Sequence, residues 1–591
     1  MSAAPSEAGW RAAAEAALKG KSLESLTSRD ADGSAIRPLY PRGEGPRAFR
    51  GAAVPRIVAR MDNPDAAAAS DQARADLDGG ADALAVVFEG STGAYGQGLS
   101  AADSATLHRA FNRLDFSGGL RLILDLAEPS QADAVVALIE RLGADPRRLD
   151  VSFGLDPIGA SARKGDFEAD GSGDVARGVR AWRGQGFAGP FFAADARLVH
   201  AAGGTPVQEL AYALASATAY LRALHANGET LEAARSAIAF RVTADADQFA
   251  TIAKFRALRI LWSAVESACG LEPRPARIEA DTSWRTMTAL DPYVNVMRGA
   301  VAAFAAGVGG ADSICVVPFT QAVGLPDAFA RRLARNAQTI MLKESHLGFV
   351  VDPAAGSGAF EALTADLCGK AWAQFQAIEA QGGLVAALRA GTLQAQVGEA
   401  AVKLRRDAAQ LKTLATGVSA HPDLNEGPVE TLGPFRSVPP AKASALTPFR
   451  LMEPFEVLRH AAGSNAKVHL CVIGAPGPIA RRIDFAREFF AIGGFEAIGG
   501  ASASDAAADV RESAAAVVCI CGSDEAYAEG VATYAAALKK AGAKAIFVAG
   551  RPGEHEQAWR AAGVDGFAFV GADALAALRS AHTLAGFGGK S

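Results

Sequence analysis

Residues 467–490, KVHLCVIGAPGPIARRIDFAREFF, decide the fold of the C-terminal part of the chain. A strand-like run is followed by a Gly/Pro loop and then by apolar residues at the three- and four-residue spacing of an amphipathic helix. Four further strand candidates follow, separated by helical patterns: FEAIGG, AAVVCICG, AKAIFVAG and VDGFAFVG. Five strands alternating with helices predict a small doubly wound, flavodoxin-like sheet.

The loop of this stretch, residues 474–479, lies where an open α/β sheet normally holds its ligand. Its sequence is GAPGPI, in which Pro476 and Pro478 each lack a backbone N–H group. A phosphate cradle needs several free backbone N–H groups, so this loop does not favour a nucleotide. What else the loop could hold depends on the rest of the chain.

The region before this domain predicts a different α/β fold, because eight β-rich runs alternate there with helix-length segments. The runs are PRIVARM, ALAVVFEG, RLILDLA, RLDVSFGLD, PFFAADA, IAFRVTA, RIEADTS and SICVVPF. Eight strands at this spacing are typical of a (β/α)8 TIM barrel. We assign residues 1–50 to an N-terminal arm, 51–415 to the barrel with its C-terminal helices, 416–464 to a Pro-rich linker and 465–591 to the flavodoxin-like domain.

The composition of the 591 residues argues against several classes of protein. The formal net charge is −5 and long Lys/Arg runs are absent, so we expect neither nucleic acid nor a membrane as partner. No apolar run approaches the roughly 20 residues that cross a bilayer, and the N-terminal segment lacks a targeting pattern, which predicts a cytoplasmic protein. The six cysteines show no paired metal-ligand spacing and are interpreted as reduced core residues.

Four segments, spread over most of the chain, point to one family. They are LKGKSLESLTSRDADGSAIRPLY, TSWRTMTALDPYVNVMRGAVAAFAAGVGGADS, LPDAFARRLARNAQTIMLKESHLGFVVDPAAGSGAFEALT and GVSAHPDLNE. They resemble the arm, the strand-seven segment, the helical region after the barrel and the segment before the linker in the methylmalonyl-CoA mutase family. The resemblance implies that adenosylcobalamin binds between the two domains, that coenzyme A threads the barrel, and that a radical rearranges methylmalonyl-CoA to succinyl-CoA.

The loop at residues 474–479 differs from what the resemblance implies. The family's cobalamin-binding domain carries Asp-x-His-x-x-Gly after its first strand, because cobalt takes an imidazole as lower ligand and the acid orients that ring. GAPGPI supplies neither group. His469 lies inside the strand and His555 far along the chain, and neither is a good ligand candidate. We therefore interpret the loop as a relic of a cobalamin site that has lost its metal ligand.

The barrel differs from the family pattern at the ends of its first and fifth strands. Met61 and Asp62 stand near the position where the resemblance places a Tyr beside the substrate, and a Met cannot supply the hydrogen bond of a phenol. Leu198 stands where a His would bind the thioester carbonyl. His200 occupies the position of a Gln two residues on, which makes it only a weak catalytic candidate.

Strands seven and eight differ in the same way. The polar family segments match residues 277–281 and 315–318, in which Arg277 alone is a like residue. A Glu that contacts the adenosyl group in the family corresponds to Gln321. Aliphatic or acidic side chains thus stand where hydrogen-bond donors would bind an anionic thioester.

The axis of the barrel is expected to be filled. A barrel that admits a pantetheine tail needs small inward residues, whereas an ordinary barrel is filled by branched and aromatic side chains. The strands contribute many Leu, Ile and Val residues together with four phenylalanines: Phe153, Phe191, Phe192 and Phe240. The sequence leaves open which of these point inwards.

Retained scaffold with altered catalytic positions favours a small, non-catalytic subunit of a heterodimeric mutase, which is an isomerase. We expect adenosylcobalamin and the substrate to bind to a larger catalytic subunit, and we assign this chain no catalytic, cofactor-binding or metal-ligating residue. The arm from Trp10 to Pro41 is expected to reach across the interface, with packing on its own barrel as the alternative.

Two other functions remain open from the sequence. One is an active mutase with atypical cobalamin ligation. The other is a non-catalytic module that binds acyl-CoA, for which Arg277, Arg481 and Arg482 are the hints, although such charges are more often solvated. The residues also do not decide between methylmalonyl-CoA and isobutyryl- or ethylmalonyl-type substrates of the complex.

Overall fold

A computed structural model describes residues 6–45, 54–100, 103–117, 119–167, 171–436, 441–475, 477–500, 506–513 and 515–587 of the protein. The chain forms two compact units. The barrel unit comprises Met1–Trp284, Val296–Ala400 and Leu432–Pro448, and the small-sheet unit comprises Arg285–Asn295, Ala401–Thr431 and Phe449–Ser591. Pro476, which the sequence places in the loop of the small sheet, lies outside the described residues.

The N-terminal arm begins with helix α1 (Glu7–Leu18), whose first turn is capped by the Ser6 hydroxyl accepting from the N–H of Gly9. A short hairpin follows, in which β1 (Ser28–Arg29) pairs with β2 (Ala35–Ile36). None of the residues of α1 is buried. The arm therefore contributes its own local structure but little to the core of the barrel unit.

Eight parallel strands form the sheet of the barrel unit, in the order β6-β5-β4-β3-β10-β9-β8-β7. Their bounds are β3 (Arg56–Met61), β4 (Ala83–Val87), β5 (Arg121–Asp125), β6 (Asp150–Ser152), β7 (Phe192–Asp195), β8 (Ile238–Ala244), β9 (Ile278–Thr282) and β10 (Ser313–Cys315). The N–H of Phe153 donates to the carbonyl of Pro190 and that of Leu155 to Phe191, so the two outer strands also meet. The sheet closes, and the predicted TIM barrel is confirmed.

Helices surround this sheet and follow it along the chain. They are α2 (Ala66–Asp78), α3 (Ser104–Phe111), α4 (Ser130–Arg141), α5 (Pro157–Lys164), α6 (Ser172–Gln185), α7 (Arg197–Ala201), α8 (Pro206–Ala226), α9 (Leu231–Ser236), α10 (Gln248–Ala268), α11 (Val294–Gly309), α12 (Ala328–Thr339), α13 (Gly358–Ala380), α14 (Leu384–Ala390) and α15 (Thr392–Ala409). Helix α8 illustrates their start signals, because Thr205 and Gln208 form a reciprocal capping box around Pro206 at the first position.

Aromatic side chains at the barrel strands point outwards, towards these helices, whereas smaller apolar ones such as Val58 and Ala85 line the axis. The ring of Phe153 stacks on Trp182 at 5.1 Å, and the ring of Phe192 stacks at 4.5 Å on Tyr220. Phe240 meets a helix tryptophan edge to face, and Phe191 stacks on Phe153. The four phenylalanines, whose orientation the sequence left open, therefore belong to the outer core between the strands and the helices and do not line the axis.

The small-sheet unit contains five parallel strands in the order β14-β13-β15-β16-β17. Two strands of the barrel unit, β11 (Gly324–Leu325) and β12 (Gly433–Pro434), precede them along the chain and pair with each other. The five are β13 (Lys467–Ile473), β14 (Glu496–Gly499), β15 (Val517–Gly522), β16 (Ala545–Val548) and β17 (Gly566–Phe567). This is the strand order of a flavodoxin-like sheet, and the predicted second fold is confirmed.

The helices of the small-sheet unit complete the doubly wound pattern. They are α16 (Glu453–Ala462), α17 (Ala480–Ile492), α18 (Ala506–Ser513), α19 (Asp524–Lys540), α20 (Glu556–Ala561) and α21 (Ala574–Ala585). All six cysteines are free thiols; four are buried in the core, as predicted, whereas Cys269 and Cys368 are half-buried. None of the described helices is long and apolar enough to cross a membrane.

Candidate functional site

The carboxyl end of the barrel, where enzymes of this fold hold their substrates, is occupied by buried charges. Arg197 follows strand β7, and its Nη2 atom lies 2.6 Å from an Oδ atom of Asp195. Its Nη1 atom lies 3.1 Å from an Oδ atom of Asp125 and also contacts Asp281. Burial opposes ionisation of Asp125, but the guanidinium of Arg197 outweighs it and lowers the pKa of that carboxyl. One arginine thus binds carboxylates from three strand ends.

A second cluster of buried charges lies at the end of the first barrel strand. Asp62 is fully buried and accepts hydrogen bonds from Arg60 at 3.0 Å and from Arg331 at 2.6 Å. Burial alone would raise the pKa of Asp62, but the charges of Arg331 and Arg60 outweigh it and hold the pKa at about 2. Met61, which the sequence analysis placed at the site, belongs to the apolar cluster on the opposite face of the strand.

The same ionic network continues down the axis. The Nε atom of Arg241 lies 2.9 Å from Glu279, which also accepts from Arg277 at 3.1 Å. Arg277 in turn lies 2.9 Å from Asp150 at the amino end of the barrel. Arg56 contacts the same carboxylate at 2.5 Å. Arg277 is therefore an ion-pair partner of neighbouring strands, whereas the sequence analysis considered it for acyl-CoA.

These charges leave little free space in the axis. The cavity between them, lined by residues that include Val58, Asp125, Arg197, Glu279 and Cys315, has a volume of about 10 Å³. That is roughly the volume needed to hold one water molecule. A larger cavity of about 230 Å³ opens at the amino end, lined by Arg56, Arg121 and Arg277 among others. The cavity among these described axial residues is therefore too small for an extended ligand.

An aromatic stack covers the carboxyl end. Tyr95, in the loop after β4, has a φ of 47°, a region that non-glycine residues rarely adopt. Its ring lies parallel to that of Trp284, with 4.9 Å between the centroids, and Trp284 packs on Phe435 at 6.4 Å. The guanidinium of Arg60 lies 5.8 Å from the centre of the Tyr95 ring. The stack therefore rests directly on the ionic network.

His200, the weak catalytic candidate, is enclosed in a chain of hydrogen bonds. Its Nε2 atom lies 2.8 Å from the Ser283 hydroxyl and its Nδ1 atom 3.1 Å from Glu209. Lys254 binds the other oxygen of Glu209 at 2.8 Å. The hydroxyl, imidazole and carboxylate follow one another in the order of a hydrolase triad. These three side chains and Lys254 are all buried, however, and Lys254 forms an ion pair with the carboxylate. Leu198, at the position of the family's His, is also buried.

Gln321 is the position that the resemblance assigns to adenosyl contact. Its side chain is fully buried, and both amide atoms lack a hydrogen-bond partner among the residues that the structure describes. A buried amide without partners costs about 1–3 kcal/mol in protein mutational data. Among the described residues, neither the apolar nor the charged side chains around Gln321 therefore form a hydrogen bond with its amide.

The sequence comparisons agree with this description. Residues 193–450 match the family model described as methylmalonyl-CoA mutase. The methylmalonyl-CoA mutase small subunit of Streptomyces virginiae is 37% identical and covers 94% of this chain and 92% of its own length. The chain belongs to the methylmalonyl-CoA mutase family. The small subunit of Propionibacterium freudenreichii subsp. shermanii is 36% identical over 77% of this chain and 72% of its own. A probable small subunit of Mycobacterium bovis is 38% identical over 71% and 68%.

Membership of the methylmalonyl-CoA mutase family implies adenosylcobalamin, so the small sheet has to be tested for a cobalt ligand. His469 lies in the middle of β13 and is 7% exposed, with its ring against Gly499 of β14. His555 stacks on Trp559 beyond strand β16. Within the described ranges, no group of three His, Cys, Asp or Glu side chains could hold a metal ion.

The loop after β13 offers no substitute in its described part. Gly474, Ala475 and Gly477 carry no ligating side chain, and Gly474 and Gly477 face open space. Arg482, in the first turn of α17, binds Asp524 at 2.9 Å, while Arg481 is exposed. The residues present therefore do not fit a cobalt ligand set of the mutase family.

The resemblance to the methylmalonyl-CoA mutase family was recognisable from the sequence, but the ionic network was missed. A signal for it exists, because the charges recur at every second residue of apolar strands, as in RIVARMD and RIEAD. The sequence analysis interpreted them as lost catalytic residues. The structure brings them together as partners of one another.

Proposed function

We propose that the chain is the small subunit of a two-subunit methylmalonyl-CoA mutase. In this proposal it supports the adenosylcobalamin-dependent isomerisation of methylmalonyl-CoA and succinyl-CoA, which a larger catalytic subunit carries out. The names of the relatives in Streptomyces virginiae and Propionibacterium freudenreichii, which match most of the chain, support it. The observation that carries the non-catalytic role is the ionic network centred on Arg197, in the axis where the resemblance would thread coenzyme A.

The role of the chain in such a pair would be to stabilise its partner. A protein that binds only the folded state of another stabilises that state by mass action, and a stable interface buries about 800 Å² on each side. Neither effect needs a catalytic group in this chain. The cofactor and the substrate would both bind to the larger subunit.

The N-terminal arm supports a contact of this kind. Its second half is attached to the barrel unit: the Lys370 ammonium donates to the Ser34 hydroxyl at 2.7 Å and to the Asp32 carbonyl at 3.1 Å. Its first half, helix α1, buries none of its residues. An isolated helix shorter than about 12–15 residues is marginally stable in water, so α1 gains stability from a partner. We propose that α1 binds the larger subunit.

Reconstitution tests this function. The chain and the large mutase subunit of the same organism are purified separately, and conversion of methylmalonyl-CoA to succinyl-CoA is assayed with adenosylcobalamin for each and for the mixture. We expect no turnover by this chain alone, and higher activity and thermal stability of the large subunit in the mixture. Turnover by this chain alone would contradict the proposal, and so would a large subunit that neither binds the chain nor responds to it. The cytoplasmic location stays a prediction from the sequence.

A further inference from the structure

One side of the barrel unit exposes large apolar side chains, which we call the apolar face. Phe349 is 88% exposed and Met297 is 68% exposed. The other members are between 36% and 51% exposed: Phe249, Val301, Phe304 and Val350. Single exposed apolar residues are normal on protein surfaces, whereas a group of neighbouring ones is often functional.

The members of the apolar face are neighbours in space. Met297, Val301 and Phe304 follow one another at spacings of four and three residues along α11, so they lie on one side of that helix. Near the end of the same helix, Gly307 is so close to the Leu347 side chain that a Cβ atom would clash with it. Leu347 precedes Phe349 by two residues. The loop with Phe349 and Val350 therefore lies beside α11.

The remaining member, Phe249, joins the face through the cluster beneath it. Its ring stacks on Phe360 with 5.1 Å between the centroids. Phe360 and Leu347 both pack against a small buried cluster that contains Ile252 and Ala305. Helices α10 and α11 and the loop before α13 thus contribute to one apolar surface over a common core.

An ion-pair network fixes the support of this surface. Arg256 of α10 is fully buried and binds Asp352 at 3.1 Å and Glu361 at 2.9 Å. Asp352 lies two residues beyond Val350 in the exposed segment, and Glu361 lies in α13. The exposed side chains therefore project from a fixed base, and a preformed surface loses less conformational entropy on binding.

The size and the position of the apolar face point to a subunit as its occupant. With large apolar side chains offering about 150–250 Å² each, the exposed parts of its six members add up to roughly 600 Å², close to the ~800 Å² that one partner buries in a stable complex. The N-terminal arm passes next to it, since the N–H of Gly43 donates to the carbonyl of Gly356 at 3.2 Å. A subunit bound by the arm would also meet this face.

We propose that the apolar face, formed by Phe249, Met297, Val301, Phe304, Phe349 and Val350, binds the larger catalytic subunit beside the N-terminal arm. This inference rests on the proposed function, since it requires that subunit to exist. The partner surface would be apolar and complementary, and the centre of the contact would be Phe349, because a fully desolvated aromatic side chain is typical of an interface hot spot.

The test compares two double variants of the full-length chain. M297D/F349D places two carboxylates in the apolar face, and V402D/V570D places two at positions of the small-sheet unit that are 63% and 77% exposed. Affinity for the large subunit of the same organism is measured by titration calorimetry, and thermal unfolding confirms that both variants fold. We expect Kd to rise at least 100-fold for M297D/F349D and less than 3-fold for V402D/V570D.

Each outcome decides between distinct explanations. If the wild-type chain does not bind the large subunit, the proposed function fails. If it binds and M297D/F349D binds equally well, only the docking face is wrong. If sedimentation velocity shows that the wild-type chain is a homodimer that M297D/F349D dissociates, a second copy is the occupant and the inference is overturned.

Should M297D/F349D not fold, hydrogen exchange of residues 297–304 and 347–351 in the wild-type complex replaces the binding measurement. We expect protection of these residues in the complex, and unchanged exchange would contradict the inference.

Discussion

The barrel and the small sheet both keep the architecture of the methylmalonyl-CoA mutase family, but they differ in how the functional positions are occupied. In the barrel, the inward positions carry paired charges, with Arg197 bound to three strand-end carboxylates. In the small sheet, the buried positions of the strands are mostly apolar, as in Val517 and Ile520 of β15, with His469 of β13 as a polar exception. The difference from the pattern that the resemblance implies lies in the loop around Gly474.

This contrast follows from the geometry of a closed and an open sheet. The axis of a closed barrel is enclosed on all sides, so any space that a ligand does not fill has to be filled by side chains at high packing density. The carboxyl edge of an open sheet faces solvent, so water can replace a lost side chain there. We therefore expect substitutions in the barrel axis to affect stability strongly and substitutions in the loop to affect it little.

The largest effect is expected for Arg197→Met. The substitution leaves the buried Asp125 and Asp195 and the half-buried Asp281 without their common partner, which should lower the free energy of unfolding by about 3–5 kcal/mol. Chemical denaturation measures the change. The matched control is Arg113→Met, which removes an exposed pair with Asp71 and should cost at most about 1 kcal/mol. Similar values for the two variants would refute the view that the axis is held by its ion pairs.

Asp156 provides the second test. It lies at the same end of the barrel as Asp62, but its pKa is raised, whereas that of Asp62 is lowered. Burial and the charge of Asp195 raise the pKa of Asp156 to about 7, whereas the ordinary value is 3.8. The folded state therefore holds this proton more tightly than the unfolded state, and the wild type should lose stability as pH rises from about 4 to about 7.

The variant Asp156→Asn keeps a side-chain oxygen for the cap of α5 and removes the titration. Its advantage over the wild type should grow by an amount on the order of 3 kcal/mol between pH 4 and pH 7, since one pKa unit corresponds to about 1.4 kcal/mol. Denaturation at a series of pH values measures the difference. Stability curves that run parallel for the two proteins would show that Asp156 has an ordinary pKa.

Gln321→Met should have a smaller effect and of the opposite sign. The amide of Gln321 is buried without hydrogen-bond partners in the described parts of the chain, so an apolar side chain of similar length removes a desolvation cost. We expect the unfolding free energy to increase by roughly 1 kcal/mol. A loss of stability would mean that the Gln321 amide makes a stabilising interaction. Gln321→Glu would then show whether a carboxylate can make the same interaction.

The smallest effects are expected in the loop of the small sheet. Gly477→Ala meets no atom within 4 Å of the new Cβ and no positive φ, so its cost should stay below about 0.5 kcal/mol. Gly474 has a φ of 84°, and Gly474→Ala should cost about 1 kcal/mol because L-residues disfavour this region. Thermal unfolding compares the two. A large loss with Gly477→Ala would mean that the loop is as tightly constrained as the barrel axis.

The sequence predicted the fold well because its signals are local. Apolar runs of strand length alternate with helical patterns, and each of the thirteen strands of the barrel and the flavodoxin-like sheet lies within a predicted run. The orientation of the side chains was harder to predict. Phe153 and Phe240 sit on strands whose faces are both buried, so their hydrophobicity does not reveal which face is the inner one.

The ionic network depends on contacts between residues that are distant in the chain. Arg197 and Asp281 are 84 positions apart, and Asp62 and Arg331 are 269 apart. Such pairs become visible only when the register of the barrel is known. Each residue by itself is an ordinary charged side chain. The comparison with the family pattern therefore indicated that catalytic residues are lost, whereas the structure shows that ion-paired residues have taken their place.

The proposed function requires that the cofactor binds to the larger subunit and not to this chain. It is tested most directly by incubating the purified chain alone with hydroxocobalamin, desalting it, and recording the visible spectrum of the protein fraction. The account predicts no retained corrinoid absorbance. Retention of one corrinoid per chain would contradict it, and a spectrum with nitrogen ligation that is lost in His469→Leu or His555→Leu would identify the ligand that the structure does not offer.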